Sequence, residues 1–95
     1  MIIVRDIFTA KPGQASKLAQ LFKKVFANDS RVRVMTDYIG DYNTVVMEIS
    51  LNNLSDFEKE MEKYAKGEIA PQQKELMKGY TDLYQSGRRE ILKTA

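Results

Sequence analysis

Three tyrosines in the second half of the chain, Tyr64, Tyr80 and Tyr84, fall within apolar stripes of helix-like segments. A tyrosine on a pocket wall donates its hydroxyl to a substrate oxygen while its ring supplies apolar contact. Met61 lies in the same stripe as Tyr64, and its flexible thioether would keep such a wall adaptable. Arg5 interrupts the otherwise apolar run "MIIVRDIF" and offers a cationic anchor. Tyr64, Tyr80, Tyr84, Arg5 and Met61 are therefore the candidate lining of a ligand pocket. The competing reading is structural: tyrosine rings packed in a helix core, Tyr80 and Tyr84 as a ladder four residues apart, and Arg5 in an ion pair. No residue is assigned a catalytic role.

The remaining charges are read as pairs. Arg5 and Asp6 are adjacent in a strand, so they point to opposite faces and cannot share one site. Partners on neighbouring strands are Glu48 and Arg89. In "RREILK", Glu90 and Leu92 form one face, with Arg89, Ile91 and Lys93 on the other. Charges there suit an edge strand that must avoid further pairing. A metal site would need Asp6, Asp37 and Glu48 to converge. One charge per strand fits a salt-bridge network better, so no metal and no cofactor is expected.

What positions these groups must fit in 95 residues, enough for one domain spanning 1–95. Apolar residues at 43% and charged residues at 29% describe an ordinary soluble globular chain. Cysteine is absent, which excludes thiol chemistry and fits a cytoplasmic setting. The start lacks the basic, then long apolar, pattern of a signal peptide, and no run is long enough to span a membrane. Residues 1–47 hold seven basic and four acidic groups, and residues 48–95 hold eight and nine. That balance gives no basic surface for nucleic acid.

"MIIVRDIFTA" reads as a strand ended by the "KPG" turn. Leu18, Leu21, Phe22, Val25 and Phe26 then form a helical stripe, closed by "NDS". "RVRVMTDYIG" and "YNTVVMEISL" read as an antiparallel hairpin joined at Gly40-Asp41. Ser55 and Glu58 suggest a capping box opening a helix that stops at Gly67. Pro71 opens a further helical segment with Leu76, Met77, Tyr80, Leu83 and Tyr84 in its stripe, expected to stop at Gly87. The last strand follows.

The order β-α-β-β-α-β predicts an α+β, ferredoxin-like fold with an extra helical segment before the last strand. Ile2, Val4 and Phe8 lie on one side of the first strand, with Ile3 and Ile7 on the other. Helices can cover only one face, so the open face calls for a second copy of the chain, sheet against sheet.

The strand, "KPG" turn, helix, hairpin, extended second crossover and "SGRREIL" ending together resemble the dimeric α/β-barrel superfamily. Within it they are similar to small antibiotic-biosynthesis-monooxygenase-like and NIPSNAP-like domains, over nearly the whole chain. The resemblance implies two four-stranded sheets closing into a barrel between subunits, with a ligand cavity between sheet and helices. The chain has neither the histidine of the superfamily's haem degraders nor the tryptophan of several of its active sites. The expected function is a homodimeric domain binding a small, mostly apolar organic molecule. The alternatives are a cofactor-independent, monooxygenase-like enzyme acting on an electron-rich aromatic or polyketide-like substrate, and a non-catalytic structural or regulatory assembly module. Neither a nucleic acid nor a membrane is an expected partner.

Overall fold

The computed structural model describes residues 1–95. Strand β1 (Ile2–Ala10) leads through the Pro12-Gly13 turn into helix α1 (Ala15–Val25). Strands β2 (Val32–Thr36) and β3 (Thr44–Leu51) follow, then helices α2 (Leu54–Ala65) and α3 (Pro71–Met77). A 3-10 turn (Tyr80–Leu83) runs directly into strand β4 (Tyr84–Lys93). The four strands form one antiparallel sheet in the order β2-β3-β1-β4. The fold is the α+β, ferredoxin-like arrangement that the sequence predicts.

Cross-strand register decides which side chains share a face. Val4 pairs with Ile49 and Ile91, and Asp6 with Met47 and Arg89, on the side covered by the helices. Arg5 pairs with Glu48 and Glu90, and Ile7 with Val46 and Arg88, on the open side. The main core joins Ala10 and Val45 of the sheet to Leu18, Ala19 and Phe22 of α1. Both Leu18 and Val45 are fully buried. A smaller cluster of Ile2, Val4 and Leu51 lies under Phe57 of α2. The helical stripe of α1 thus acts as the pattern requires, its basic face turned outward.

Helix α2 is different. None of its residues is buried. Its N-cap is Asn53, whose side-chain oxygen accepts the Asp56 N–H at 3.0 Å, rather than the expected Ser55. Asn53 takes the position because its extended backbone (φ −161°) aims the short amide at the open first turn. At the other end Gly67 adopts φ +69°; its N–H bonds Tyr64 and that of Glu68 bonds Lys63, the paired closure that favours glycine.

Two further expectations are corrected. The link between β2 and β3 is a seven-residue loop, 37–43, not a tight turn at Gly40-Asp41. The Asp37 carboxylate accepts the Thr44 N–H across its base, and Tyr42 and Asn43 both take positive φ. The loop leaves Tyr38, Ile39 and Tyr42 almost wholly exposed. The last helical segment ends at Met77, not Gly87, because Gly79 at φ +76° turns the chain. Gly87 lies inside β4 opposite Phe8, where an added Cβ would come within 3.1 Å of the phenyl ring. Its role is close approach of a ring to the strand, not helix termination.

Candidate functional site

Because α2 rests on few buried contacts, space remains between it and the sheet. A cavity of about 550 Å³ opens there, walled by Val4, Phe8, Met47 and Ile49 of the sheet and Phe57 and Met61 of α2. Phe22, Tyr80 and Tyr84 close one end, and Tyr64, Glu60 and Asp29 lie at the other. The walls are mostly apolar, which suits a small organic molecule.

One ion pair stands in this apolar setting. Arg89 Nε donates to Asp6 Oδ1 at 2.6 Å, and the Asp6 carboxylate is 17% exposed. The guanidinium carbon lies 5.4 Å from the centre of the Phe57 ring, within cation–π range. Arg89 Nη1 reaches only the Met61 thioether, at 3.5 Å. A thioether is a weak acceptor, so that donor retains capacity for a ligand oxygen. Asp6, an acceptor, and Arg89, a donor, can together hold a neutral group that both donates and accepts.

A backbone irregularity aims Tyr84. The register of β4 against β1 shifts between Thr9 and Ala10: Thr9 pairs with Ser86 but Ala10 with Tyr84. Gln85 is the extra residue of a bulge, and without it alternation would turn Tyr84 to the open face. Its ring instead sits 4.9 Å from Phe8 and 5.8 Å from Tyr80. Phe22 continues this aromatic row, 5.3 Å from Phe8 and 6.2 Å from Tyr80.

The far rim is electrostatic. Arg31 binds Asp29 (2.8 Å) and Glu60 (3.2 Å), tying α2 to the start of β2. Hydrogen bonding from Arg31 holds the Asp29 carboxyl below its ordinary range, and Asp29 in turn raises Arg31, keeping it charged. Burial pushes the Tyr64 hydroxyl up from its usual 10, with Glu60 and Asp29 adding to the effect. Burial likewise raises Tyr80, with further contributions from Tyr84 and Asp6. A raised phenol pKa means that the folded state holds its proton longer than the unfolded chain does. The resulting stability is complete below pH 10, where the unfolded phenol begins to ionise, and is lost as pH rises through the folded values. Titrated by tyrosinate absorbance and circular dichroism together, unfolding should steepen above about pH 10, and Tyr64→Phe with Tyr80→Phe should flatten that limb.

Of the five candidates from sequence, the structure gathers Tyr64, Tyr80, Tyr84 and Met61 around this cavity. Arg5 is corrected: it lies on the opposite face of the sheet, 3.1 Å from Glu48 and 3.2 Å from Glu90. The helices cover the side of β1 that carries Ile2, Val4 and Phe8, which is the side of Asp6. Tyr80 and Tyr84 are not on one helix either, since the first begins a 3-10 turn and the second a strand. Asp6, Asp37 and Glu48 do not converge. They occupy the cavity, the 37–43 loop and the open face respectively. The Asp6–Arg89 pair as a cavity feature and the Asp29–Arg31–Glu60 rim were not identified from sequence. Shared parity of Asp6 with Ile2, Val4 and Phe8 was the available signal for the first.

Sheet order and one helical layer define a ferredoxin-like domain, the fold also seen in NIPSNAP and antibiotic biosynthesis monooxygenase-like proteins. An uncharacterised NIPSNAP domain protein from Burkholderia xenovorans superposes with a TM-score of 0.79 at 16% identity, covering 100% of this chain and 95% of its own. A NIPSNAP family protein from Agrobacterium tumefaciens gives 0.77 at 17% identity, covering 98% and 85%. An antibiotic biosynthesis monooxygenase gives 0.69 at 11% identity, covering 100% and 99%. No protein-family model and no curated protein matches the sequence. At these identities the likeness is one of fold. No helix is long and apolar enough to cross a membrane.

Proposed function

We propose that the chain is a homodimeric domain that binds a small, mostly apolar organic molecule in the cavity beneath α2. The observation that carries this reading is the 550 Å³ apolar space with the Asp6–Arg89 pair in its wall. A space of this size lies in the range of small-molecule sites. The pair is electrically neutral as a unit, so it favours a hydroxyl, enol or carbonyl on an apolar body over a free carboxylate. The homodimer is supported by apolar side chains that the single chain leaves at least partly exposed on the open face, Ile3, Ile7, Met35 and Leu92.

A second reading, cofactor-independent oxygenation, draws on one observation: the spare Arg89 donor and the Tyr80–Tyr84 edge adjoin the same apolar space. In such a reaction an activated CH2 of the substrate and O2 would give C=O and water, and the protein would stabilise the substrate oxyanion.

The test uses prodan, an uncharged naphthyl ketone whose emission reports an apolar setting, as the probe. Saturable binding near one probe per chain is expected, and Met61→Trp, which adds bulk at the α2 wall, should reduce it at least tenfold with unchanged circular dichroism. Absence of saturable binding, or binding indifferent to the substitution, would overturn the cavity reading. Oxygen uptake with electron-rich phenols then separates enzyme from binder.

A further inference from the structure

The open face carries a row of charges that crosses the entire sheet. Arg33 of β2, Glu48 of β3, Arg5 of β1 and Glu90 of β4 are consecutive cross-strand partners. Their ion pairs run Arg33–Glu48 at 3.5 Å, Glu48–Arg5 at 3.1 Å and Arg5–Glu90 at 3.2 Å. From one edge to the other the signs are plus, minus, plus, minus. Rows on either side are apolar in part: Met35, Val46 and Ile7 below, Ile3 and Leu92 above.

We propose that this row makes the open face a charge-coded surface for a second copy of the chain, seating β2 of one copy over β4 of the other. The inference rests on the homodimer reading above and goes beyond it by fixing the orientation. Two sheets packed face to face by a two-fold axis in the interface can be related in two simple ways. With the axis along the strands, the row of one copy is reversed over the other. Arg33 then faces Glu90 of the second copy and Glu48 faces Arg5, so every charge meets its opposite. With the axis across the strands, each residue faces its own equivalent, and four like-charge contacts result. An even number of alternating charges is self-complementary only in the first arrangement.

Energetics reinforce the choice. Charges enclosed between sheets are tolerated only when each finds partners, and like charges brought together there are strongly unfavourable. Arg5 Nε is already shielded from water, yet it is not aligned for a hydrogen bond to Glu48 despite the 3.1 Å approach. Charge rather than directed bonding holds that pair, so Glu48 can divide itself between its own Arg5 and the facing one. Aligned sheets cross at about 30°, which keeps the centres of two such rows superposed. A polyanion is a poor occupant by comparison, because the row sums to zero.

The chain has no cysteine, so single thiols can be placed at will. Met35 and Arg88 are the two edge residues of the next row, joined through Val46 and Ile7; replacing them removes the Arg88–Glu90 contact at 3.1 Å but keeps all four residues of the charged row and their mutual pairs. Met35→Cys and Arg88→Cys chains are co-expressed and treated with a short bis-maleimide, able to bridge the roughly 10 Å between packed sheets. The expected result is covalent dimer from the mixture, at least fivefold above either variant alone. Efficient linking of Met35→Cys to itself would overturn the orientation while leaving the dimer standing. Sedimentation of the unmodified chain provides the independent arm: opposite charges across the interface make added salt weaken the dimer, and tightening with salt would overturn the proposal. A monomer at every concentration would instead sink the homodimer reading on which it rests.

Discussion

Truncating Phe22 to alanine should cost about 3–5 kcal/mol of folding stability, the usual range for a buried phenylalanine. The side chain is 1% exposed and sits between the sheet and the last crossover, with Phe8 and Tyr80 as ring neighbours. Only ten of the 95 residues are buried in the single chain, so few other contacts can compensate. Domains of this size have roughly 5–15 kcal/mol in total, and the loss would be a large share of it. Phe22 also walls the cavity. Its removal therefore enlarges the cavity as it weakens the fold, and urea unfolding with and without added probe separates the two effects. A midpoint shift equivalent to less than 1 kcal/mol would show that α1 does not anchor the domain as its burial implies.

The second large effect concerns the ion pair in the cavity wall. Arg89→Met should destabilise the chain by about 1–3 kcal/mol, because the mostly enclosed Asp6 carboxylate loses its charged partner. The figure stays below that of a fully buried pair because the Arg89 side chain is 44% exposed. Adding Asp6→Asn to Arg89→Met should recover most of the loss, since no unpaired charge remains. Ligand affinity should behave differently: both the single and the double variants lose the donor, so neither restores binding. A double-mutant cycle in urea, run beside probe titration, reads both quantities. Equal recovery of stability and binding would show that the pair is structural alone.

The sequence carried the layered fold well because the strands alternate and the α1 stripe is strict. Ile2, Val4 and Phe8 separate cleanly from Ile3 and Ile7, and the structure keeps that division. The C-terminal third was harder. Tyr80 and Tyr84 are four apart, a spacing a helix would use, but a left-handed Gly79 intervenes and the bulge at Gln85 turns Tyr84 inward. Neither event leaves a periodic trace. Choosing between Arg5 and Asp6 required knowing which face the helices cover, and the heavier apolar side was the clue. Asn53 outcompeted Ser55 as cap because α2 starts earlier than its apolar pattern suggests. The open face was legible as partly apolar, whereas the ionic row depended on a three-way register that sequence spacing alone does not specify.

The absence of buried residues in α2 has an evolutionary consequence. Folding depends chiefly on α1 and the sheet, while α2 mainly shapes the chamber above Val4, Met47 and Ile49. Mutations at Met61 or Tyr64, which pack against neither core cluster's buried residues as Phe57 does, should therefore reshape the chamber with less danger to the scaffold than mutations in α1. Selection acting on such a helix is freed from much of the usual conflict between novelty and foldedness, so the chamber's roof can drift in shape one residue at a time while the floor stays as it is.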